Sequence, residues 1–158
     1  MGGIDMLKTL IVNLVISLGV GGLSSILTKD SMDIYSTIAL PPFAPPSSLF
    51  PIMWTILYIL MAISATIIYR KSPTVKGLVI YAVQLLVNFI WPLIFFDGRM
   101  FFASFLWLML LWVLVLWMIV EFYKVDHIAA YLQIPYALWL TFAAVLNWSI
   151  FALNSGNI

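Results

Sequence analysis

The sequence contains no cysteine and very few charged residues. Of its 158 residues, 8% are charged and 65% are hydrophobic. Without cysteine, disulfide bonds and thiolate metal ligands are excluded. So small a charged fraction leaves too little polar surface to cover a soluble globule, and a formal net charge of +1 gives no reason to expect a nucleic-acid partner. We therefore predict an integral membrane protein that has the lipid bilayer as its solvent.

Ionisable residues are also missing from the middle of every long apolar run. Their absence argues against a proton-coupled pump, a Schiff-base lysine and a histidine pair for haem. The single histidine, His127, lies beside Asp126 between two apolar runs, and no second metal ligand is placed near it. No Ser/His/Asp or Cys/His set can be assembled within the runs. We predict no metal site, no obligatory cofactor and no conventional nucleophilic enzyme.

Five apolar stretches have the length of roughly 20 residues that crosses a bilayer of about 30 Å. They cover approximately residues 7–27, 48–69, 78–96, 100–122 and 128–153. The first is too long for the apolar core of a signal peptide, and no small-x-small cleavage site follows it before Lys29, so we expect it to be retained. Residues 1–158 are predicted to form a single all-α membrane domain, a bundle of five transmembrane helices.

Lysine and arginine are unevenly divided between the two ends of the predicted bundle. Five lie with the N-terminus and the second and fourth loops, and two lie opposite; in that order they are Lys8, Arg70, Lys71, Lys76 and Lys124, then Lys29 and Arg99. Positive residues favour the cytoplasmic side. In a bacterial cell membrane this predicts a multi-pass protein with a cytoplasmic N-terminus.

The first loop, about residues 28–47, is longer than the other connections. It carries Tyr35 and the run Pro41-Pro-Phe-Ala-Pro-Pro46, in which the prolines fix φ and remove hydrogen-bond donors. One interpretation is a stiff, extended lid over one mouth of the bundle. The other is a rigid spacer that only sets the approach of the second helix.

A row of small residues occupies the first predicted helix. Ser17, Gly21 and Ser25 recur every four residues and therefore share one helix face. Small residues let two helix backbones approach closely. The row predicts a close contact, which is either internal packing or the seam of a dimer.

Polar and aromatic side chains interrupt the apolar spans at helical spacing. Gln84, Asn88 and Trp91 share one face of the third span, and because an unpaired polar group is costly in hydrocarbon they should face protein or ligand. Trp54 and Tyr58 stand four apart in the second span, while Trp139, Ala143 and Asn147 form a row with a gap at the alanine in the fifth. Ordinary helix packing would explain any one of these residues. Together they predict a neutral, aromatic pocket for a large, flat, apolar ligand such as a porphyrin, a sterol or a polycyclic drug.

Three motifs in the second, third and fifth spans resemble those of the translocator protein family, whose members are also called tryptophan-rich sensory proteins or peripheral-type benzodiazepine receptors. In this sequence they read Pro51-x-x-Trp54-x-x-Leu-Tyr58, Gln84-Leu-x-x-Asn88-x-x-Trp91-Pro92-x-Ile-Phe-Phe96 and Pro135-Tyr-x-x-Trp139-x-x-Phe-Ala143-x-x-Leu-Asn147. The resemblance extends over essentially the entire chain. It implies a five-helix bundle, a homodimer, that binds tetrapyrroles such as protoporphyrin IX, cholesterol and synthetic aromatic ligands beneath the first loop.

The resemblance also implies which residues bind the ligand. They are Tyr35, Trp54, Tyr58, Asn88, Trp91, Trp139, Ala143 and Asn147. Trp54 and Trp139 match the two tryptophans that the family implicates in light- and oxygen-dependent porphyrin breakdown, which makes them the candidate catalytic residues. Three functions stay open: a receptor or sensor that binds tetrapyrroles, a passive carrier of porphyrins or sterols, and a porphyrin-degrading enzyme.

Two features depart from the family pattern. Phe43 occupies the position of the loop tryptophan, so an indole N–H is lost there. The sterol-recognition pattern of animal members requires Leu or Val, then Tyr, then Lys or Arg. Residues 151–158, Phe-Ala-Leu-Asn-Ser-Gly-Asn-Ile, contain neither tyrosine nor a basic residue. We therefore expect cholesterol recognition through that motif to be lost and tetrapyrrole binding to be kept.

Overall fold

The computed structural model describes residues 2–72 and 75–157. Its helices are α1 (Gly2–Thr28), α2 (Ile34–Thr37), α3 (Leu49–Lys71), α4 (Val75–Pro92), α5 (Phe101–Tyr123), α6 (His127–Tyr131) and α7 (Ile134–Asn154), with a π-helical turn at Leu93–Asp97 and a 3₁₀ turn at Ser155–Asn157. No strand occurs within the described ranges. Five spans in those ranges are long and apolar enough to cross a membrane, the last being α6 and α7 together. The predicted all-α bundle of five transmembrane helices is confirmed.

Two prolines explain where the structure departs from five simple helices. In the third span the α-helix α4 ends at Pro92 and does not continue to Phe96. A wider, π-helical turn follows, in which the Gly98 N–H donates to the Leu93 carbonyl at 2.9 Å. The fifth span is broken between α6 and α7. Pro135 lies in the first turn of α7 and has no N–H to continue a helix from the preceding turn.

The helices α3, α4, α5 and α7 supply most of the buried interior, and α1 packs against one side of α3 and α4. The α4 helix packs along α5, which in turn packs along α7. By contrast, the backbones of α3 and α7 approach each other closely at very few positions. Space is therefore left between α3 and α7 for large side chains or a ligand.

The small residues of α1 serve internal packing. The buried Ser17 hydroxyl donates to the Tyr58 carbonyl of α3 at 3.0 Å. A Cβ atom added to Gly21 would lie 2.2 Å from Cε2 of the Tyr58 ring, so only glycine permits this approach. Ser25 is exposed and does not continue the contact, whereas Ser24 and Thr28 are buried. The buried face of α1 therefore passes from Ser17 and Gly21 to Ser24 and Thr28, and does not follow strict steps of four residues.

The first loop is folded, whereas one interpretation of the sequence was an extended lid. It contains the single-turn helix α2, and the Tyr35 side chain at that turn is buried, with its hydroxyl donating to the Pro45 carbonyl at 2.9 Å. The end of α7 holds the loop at Ala39. There the Asn154 side chain accepts from the Ala39 N–H at 3.1 Å and donates to the Ala39 carbonyl at 3.0 Å. The loop is thus held internally by the Tyr35 hydroxyl, is anchored to α7 at Ala39, and covers one end of the bundle.

Candidate functional site

A cavity of about 310 Å³, here called the inner cavity, lies beneath the first loop between α1, α3, α4 and α7. Its walls are mostly apolar or aromatic, and the polar groups among them belong to hydroxyls, amides and two indoles. Seven of the eight residues predicted for ligand binding line it, namely Tyr35, Trp54, Tyr58, Asn88, Trp91, Ala143 and Asn147. The structure therefore gathers residues from the loop and three helices around one space.

Trp139, the eighth predicted residue, lies outside this lining. Its ring packs against Phe50 at a centroid separation of 6.0 Å and against Phe142 at 5.4 Å. Phe50 itself lines the inner cavity, so Trp139 contacts a residue of the cavity wall without being part of that wall. The Trp139 indole N–H is buried and has no hydrogen-bond partner among the described residues. Of the two candidate redox tryptophans, only Trp54 lines the cavity.

A hydrogen-bond chain fixes the amide of Asn88. The Tyr58 hydroxyl donates to Asn88 Oδ1 at 2.9 Å, and Asn88 Nδ2 donates to the Tyr136 hydroxyl at 2.7 Å. Tyr136 then donates to Gln84 Oε1 at 2.8 Å, and Gln84 Nε2 contacts the Met61 sulfur at 3.7 Å. These five side chains are all buried. Gln84 thus faces protein, as its spacing predicted, and the chain holds Asn88 in one orientation at the cavity wall.

A second polar cluster positions Trp91 on the same wall. The Trp91 indole N–H donates to Asn147 Oδ1 at 3.3 Å, and the Ser104 hydroxyl donates to the same oxygen at 3.1 Å. Asn147 Nδ2 donates in turn to the Phe101 carbonyl at 2.9 Å. The Trp91 ring stacks on Phe95 with centroids 5.2 Å apart. The Trp91 ring is therefore held in place by one hydrogen bond at its N–H and by stacking on Phe95.

The inner cavity is electrically neutral. None of its described lining residues is Asp, Glu, Lys, Arg or His. The Tyr35 phenol is uncharged at neutral pH, and burial raises its pKa further above that range. The described part of the chain also holds no group of three or more His, Cys, Asp or Glu residues that could bind a metal. These walls can hold a ligand by ring stacking and by hydrogen bonds from neutral groups.

Three contributors to the site were not predicted from the sequence. Phe50 stands four residues before Trp54 and eight before Tyr58, so its helical spacing could have indicated the same face. Tyr136 precedes Ala143 by seven residues, which is also close to two helical turns. Ser104 gave no such signal, because its role depends on the contact between α5 and α7.

One known protein family matches nearly the whole chain. The sequence profile of the TspO/MBR family matches residues 11–153. The chain belongs to the TspO/MBR family. This confirms the resemblance seen in the three motifs, and with the five apolar spans it establishes a multi-pass integral membrane protein.

Relatives of this TspO/MBR member come from bacteria and animals. Protein CrtK of Rhodobacter capsulatus is 39% identical over 126 residues, which are 77% of this chain and 79% of that protein. Tryptophan-rich protein TspO of Chlorobaculum tepidum is 32% identical over 149 residues, or 92% and 94% of the two chains. The translocator protein of Ovis aries is 32% identical over 127 residues, or 77% and 75%. The similarity thus spans most of each protein.

Proposed function

We propose that this protein is a membrane receptor or sensor that binds large, flat, apolar ligands, with tetrapyrroles such as protoporphyrin IX as the main class. The observation that carries the proposal is the inner cavity, which brings Trp54, Trp91 and Tyr58 together with two amides in an apolar space. Family membership supports a role in sensing or binding, since relatives are named tryptophan-rich sensory protein and translocator protein.

The chemistry of the walls suits a planar ligand. A planar ring system can lie against the faces of Trp54 and Trp91, and aromatic contacts of this kind contribute roughly 0.5–1.5 kcal/mol each beyond burial. Asn88 and Asn147 can orient the ligand, because each has hydrogen-bonding capacity beyond the bonds described above. At about 310 Å³, the inner cavity is near the lower limit of ligand pockets, roughly 300–1,000 Å³. We therefore expect a macrocycle to extend beyond it toward the loop.

We also propose a bacterial cell membrane as the location, with the N-terminus in the cytoplasm. The support is the excess of lysine and arginine at the end of the bundle that carries the N-terminus. This orientation would place the inner cavity and the loop on the opposite, external side. Fusing a reporter that works only in the cytoplasm to either terminus would test it, since only the N-terminal fusion should be active.

Dark titration with protoporphyrin IX, followed through quenching of tryptophan fluorescence, tests the binding proposal. Ala143→Phe places a phenyl ring in the inner cavity, and we expect its affinity to fall about tenfold or more, since overpacking costs roughly 1–3 kcal/mol. Ala152→Phe adds the same ring at an exposed position of α7 and should leave the affinity unchanged. Equal affinities in both variants and the parent would contradict a pocket at Ala143.

The same samples separate the receptor from the two other functions. Illumination in air should leave the pigment intact if the protein only binds it. Protein-dependent pigment loss that disappears in Trp54→Phe would instead indicate an enzyme, with Trp54 as the electron donor. Faster transfer of porphyrin across reconstituted vesicles than across empty ones would indicate a carrier. The described spans hold no coupling charge at their centres, so such a carrier would move ligand only downhill.

A further inference from the structure

The helices α1 and α3 both border the inner cavity, but they are not in contact along its whole length. On the side away from the loop, the Ser17 hydroxyl donates to the Tyr58 carbonyl at 3.0 Å, and a Cβ atom added to Gly21 would overlap the Tyr58 ring. Nearer the loop α1 packs against α4, where the Ser24 hydroxyl donates to the Phe89 carbonyl at 3.4 Å. The end of α1 then packs against the π-helical turn that follows α4. On the loop side of Gly21, α1 therefore leaves α3 for α4.

Two rows of residues border the gap that this divergence leaves. On α1 they are Leu18, Gly22 and Ser25, and on α3 they are Pro51 and Thr55. All five line the inner cavity, and all five are exposed. Their spacing of three or four residues puts each row on one helix face. We call the gap between the two rows the lateral opening, because through it the inner cavity reaches the side of the bundle.

The lateral opening faces lipid. Exposed apolar side chains stand beside each row at helical spacing, Val15 and Ile26 on α1 and Ile52 and Ile59 on α3. Both helices are membrane spans, so these side chains contact the hydrocarbon chains of the lipids. Leu18 lies about ten residues, or roughly 15 Å, before the end of α1, which is about half of a hydrocarbon core of about 30 Å. The lateral opening thus extends from the loop end of the bundle to near the middle of the bilayer.

The two rows offer little resistance to an apolar molecule. None of the five residues is charged. The Thr55 hydroxyl donates to the Pro51 carbonyl at 2.7 Å, so it does not need a water molecule in a lipid setting. A Cβ atom added to Gly22 would meet no described atom within 4 Å, so the space beside this glycine is open. A flat apolar ligand can pass between the rows without burying a charge or breaking a described hydrogen bond.

The loop side of the inner cavity differs in this respect. The Tyr35 hydroxyl holds the loop at the Pro45 carbonyl, and the Asn154 side chain holds it at both backbone groups of Ala39. The Tyr35 ring also packs edge-on against Phe50 with centroids 5.4 Å apart. Moving the loop aside would break these contacts, whereas passage through the lateral opening leaves them intact.

We propose that ligands enter and leave the inner cavity through the lateral opening, so that the protein takes them from the bilayer and not directly from water. This inference rests on the proposed function and narrows its ligand class to flat molecules that dissolve in membranes. Protoporphyrin IX belongs to this class, because its macrocycle can lie among lipid chains while its two carboxylates stay hydrated at the interface. Since the lateral opening extends to the loop end of the bundle, the macrocycle can pass between α1 and α3 in that position.

Narrowing the lateral opening should slow binding and release alike. A bulky side chain there raises the barrier that entry and exit share, and it changes the free energy of the bound ligand much less. Gly22→Phe and Thr55→Phe, one on each row, should each lower the association and dissociation rate constants about tenfold, with a change in Kd of less than about threefold. Gly19→Phe and Ile56→Phe are the matched controls. They add the same ring at exposed positions of the same helices outside the cavity lining, and both should keep the parental rates.

The measurement is stopped-flow quenching of tryptophan fluorescence in the dark, with the protein in lipid nanodiscs. Association follows the addition of protoporphyrin IX. Dissociation follows the addition of an excess of empty lipid vesicles, which take up the released porphyrin. Circular dichroism of each variant checks that its helices are intact.

A second perturbation tests the loop as the alternative route. The chain has no cysteine, so Ala39→Cys combined with Asn154→Cys supplies two unique thiols that a short bifunctional reagent can join. The two positions are neighbours, because the Asn154 side chain bonds to both backbone groups of Ala39. Neither residue lines the inner cavity. Joining them holds the loop against α7 and should leave both rate constants unchanged.

The outcomes distinguish this inference from the proposed function. If Gly22→Phe and Thr55→Phe keep the parental rates, or if the joined loop slows binding as much as they do, the inference is overturned, although the binding function stands. It is likewise overturned if the two variants change only the dissociation rate, since they would then act as contacts of the bound ligand. If the parent protein shows no saturable quenching, the proposed function fails, and this inference fails with it.

Discussion

Removing one hydroxyl from Tyr136 should cost more stability than removing one from Tyr58, although both belong to the same hydrogen-bond chain. The Tyr136 hydroxyl accepts from Asn88 at 2.7 Å and donates to Gln84 at 2.8 Å, whereas the Tyr58 hydroxyl donates only to Asn88, at 2.9 Å. Tyr136→Phe therefore leaves two buried amide groups without their partner, and Tyr58→Phe leaves one. Both substitutions keep the ring and its packing against Trp54.

The expected loss of stability follows from the number of buried amide groups that each substitution leaves without a hydrogen-bond partner. Hydrogen bonds between membrane helices are worth about 0.6 kcal/mol on average and up to about 1.7. Tyr136→Phe should thus lower the free energy of unfolding by roughly 1–3 kcal/mol, and Tyr58→Phe by about half as much. Because both hydroxyls bond to Asn88, the double variant should lose less than the sum of the two.

The assay is reversible unfolding of the detergent-solubilised protein by dodecyl sulfate, followed through its helical circular dichroism. Tyr69→Phe is the matched control, since that tyrosine lies near the end of α3 and is 53% exposed. A loss for Tyr58→Phe equal to or larger than that for Tyr136→Phe would refute the reasoning. So would a Tyr136→Phe variant that cannot be distinguished from the control.

Two further predictions concern other parts of the fold. Gly21→Ala should destabilise the protein by about 1–3 kcal/mol, since the added Cβ would lie 2.2 Å from the Tyr58 ring of α3. Gly19→Ala is the control and should be neutral or slightly stabilising, because no atom lies within 4 Å of its added Cβ. Equal thermal unfolding temperatures for the two variants would contradict this prediction. A hydrogen bond from Lys71, together with the backbone N–H that Asp126 caps, lowers the pKa of the Asp126 carboxyl. The ionised carboxylate therefore stabilises the fold above about pH 4, and this stabilisation is lost as the pH falls through the lowered pKa. The loss should be less than roughly 1 kcal/mol because Lys71 is exposed. If the free energy of unfolding of an Asp126→Asn variant fell with decreasing pH as steeply as that of the parent, the prediction would be contradicted.

The orientation of side chains was predicted most accurately where helical periodicity alone decides which residues share a face. Gln84, Asn88 and Trp91 were expected to point inward, and all three do. Their placement follows from 3.6 residues per turn and from the cost of exposing amides to hydrocarbon. Trp139 obeys the same periodicity, yet it packs against Phe50 and does not line the cavity. Which side chains meet a given helix face depends on the neighbouring helix.

Loop conformation was much harder to predict. The prolines between Pro41 and Pro46 indicated a stiff segment, but they did not indicate the turn of α2 or the two hydrogen bonds between Asn154 and Ala39. These contacts join residues far apart in sequence, and no period relates them.

The sequence by itself determined that the protein crosses the membrane five times, which residues lie on each helix face, and that the chain has motifs of one family. Hydrophobicity and helical period act locally, so they can be read from the chain. The tertiary structure decided the rest: which α1 residues contact α3, how Tyr58, Asn88, Tyr136 and Gln84 become one hydrogen-bond chain, and which tryptophans line the inner cavity. Those features depend on distances between helices, which are set by the packing of all side chains at once.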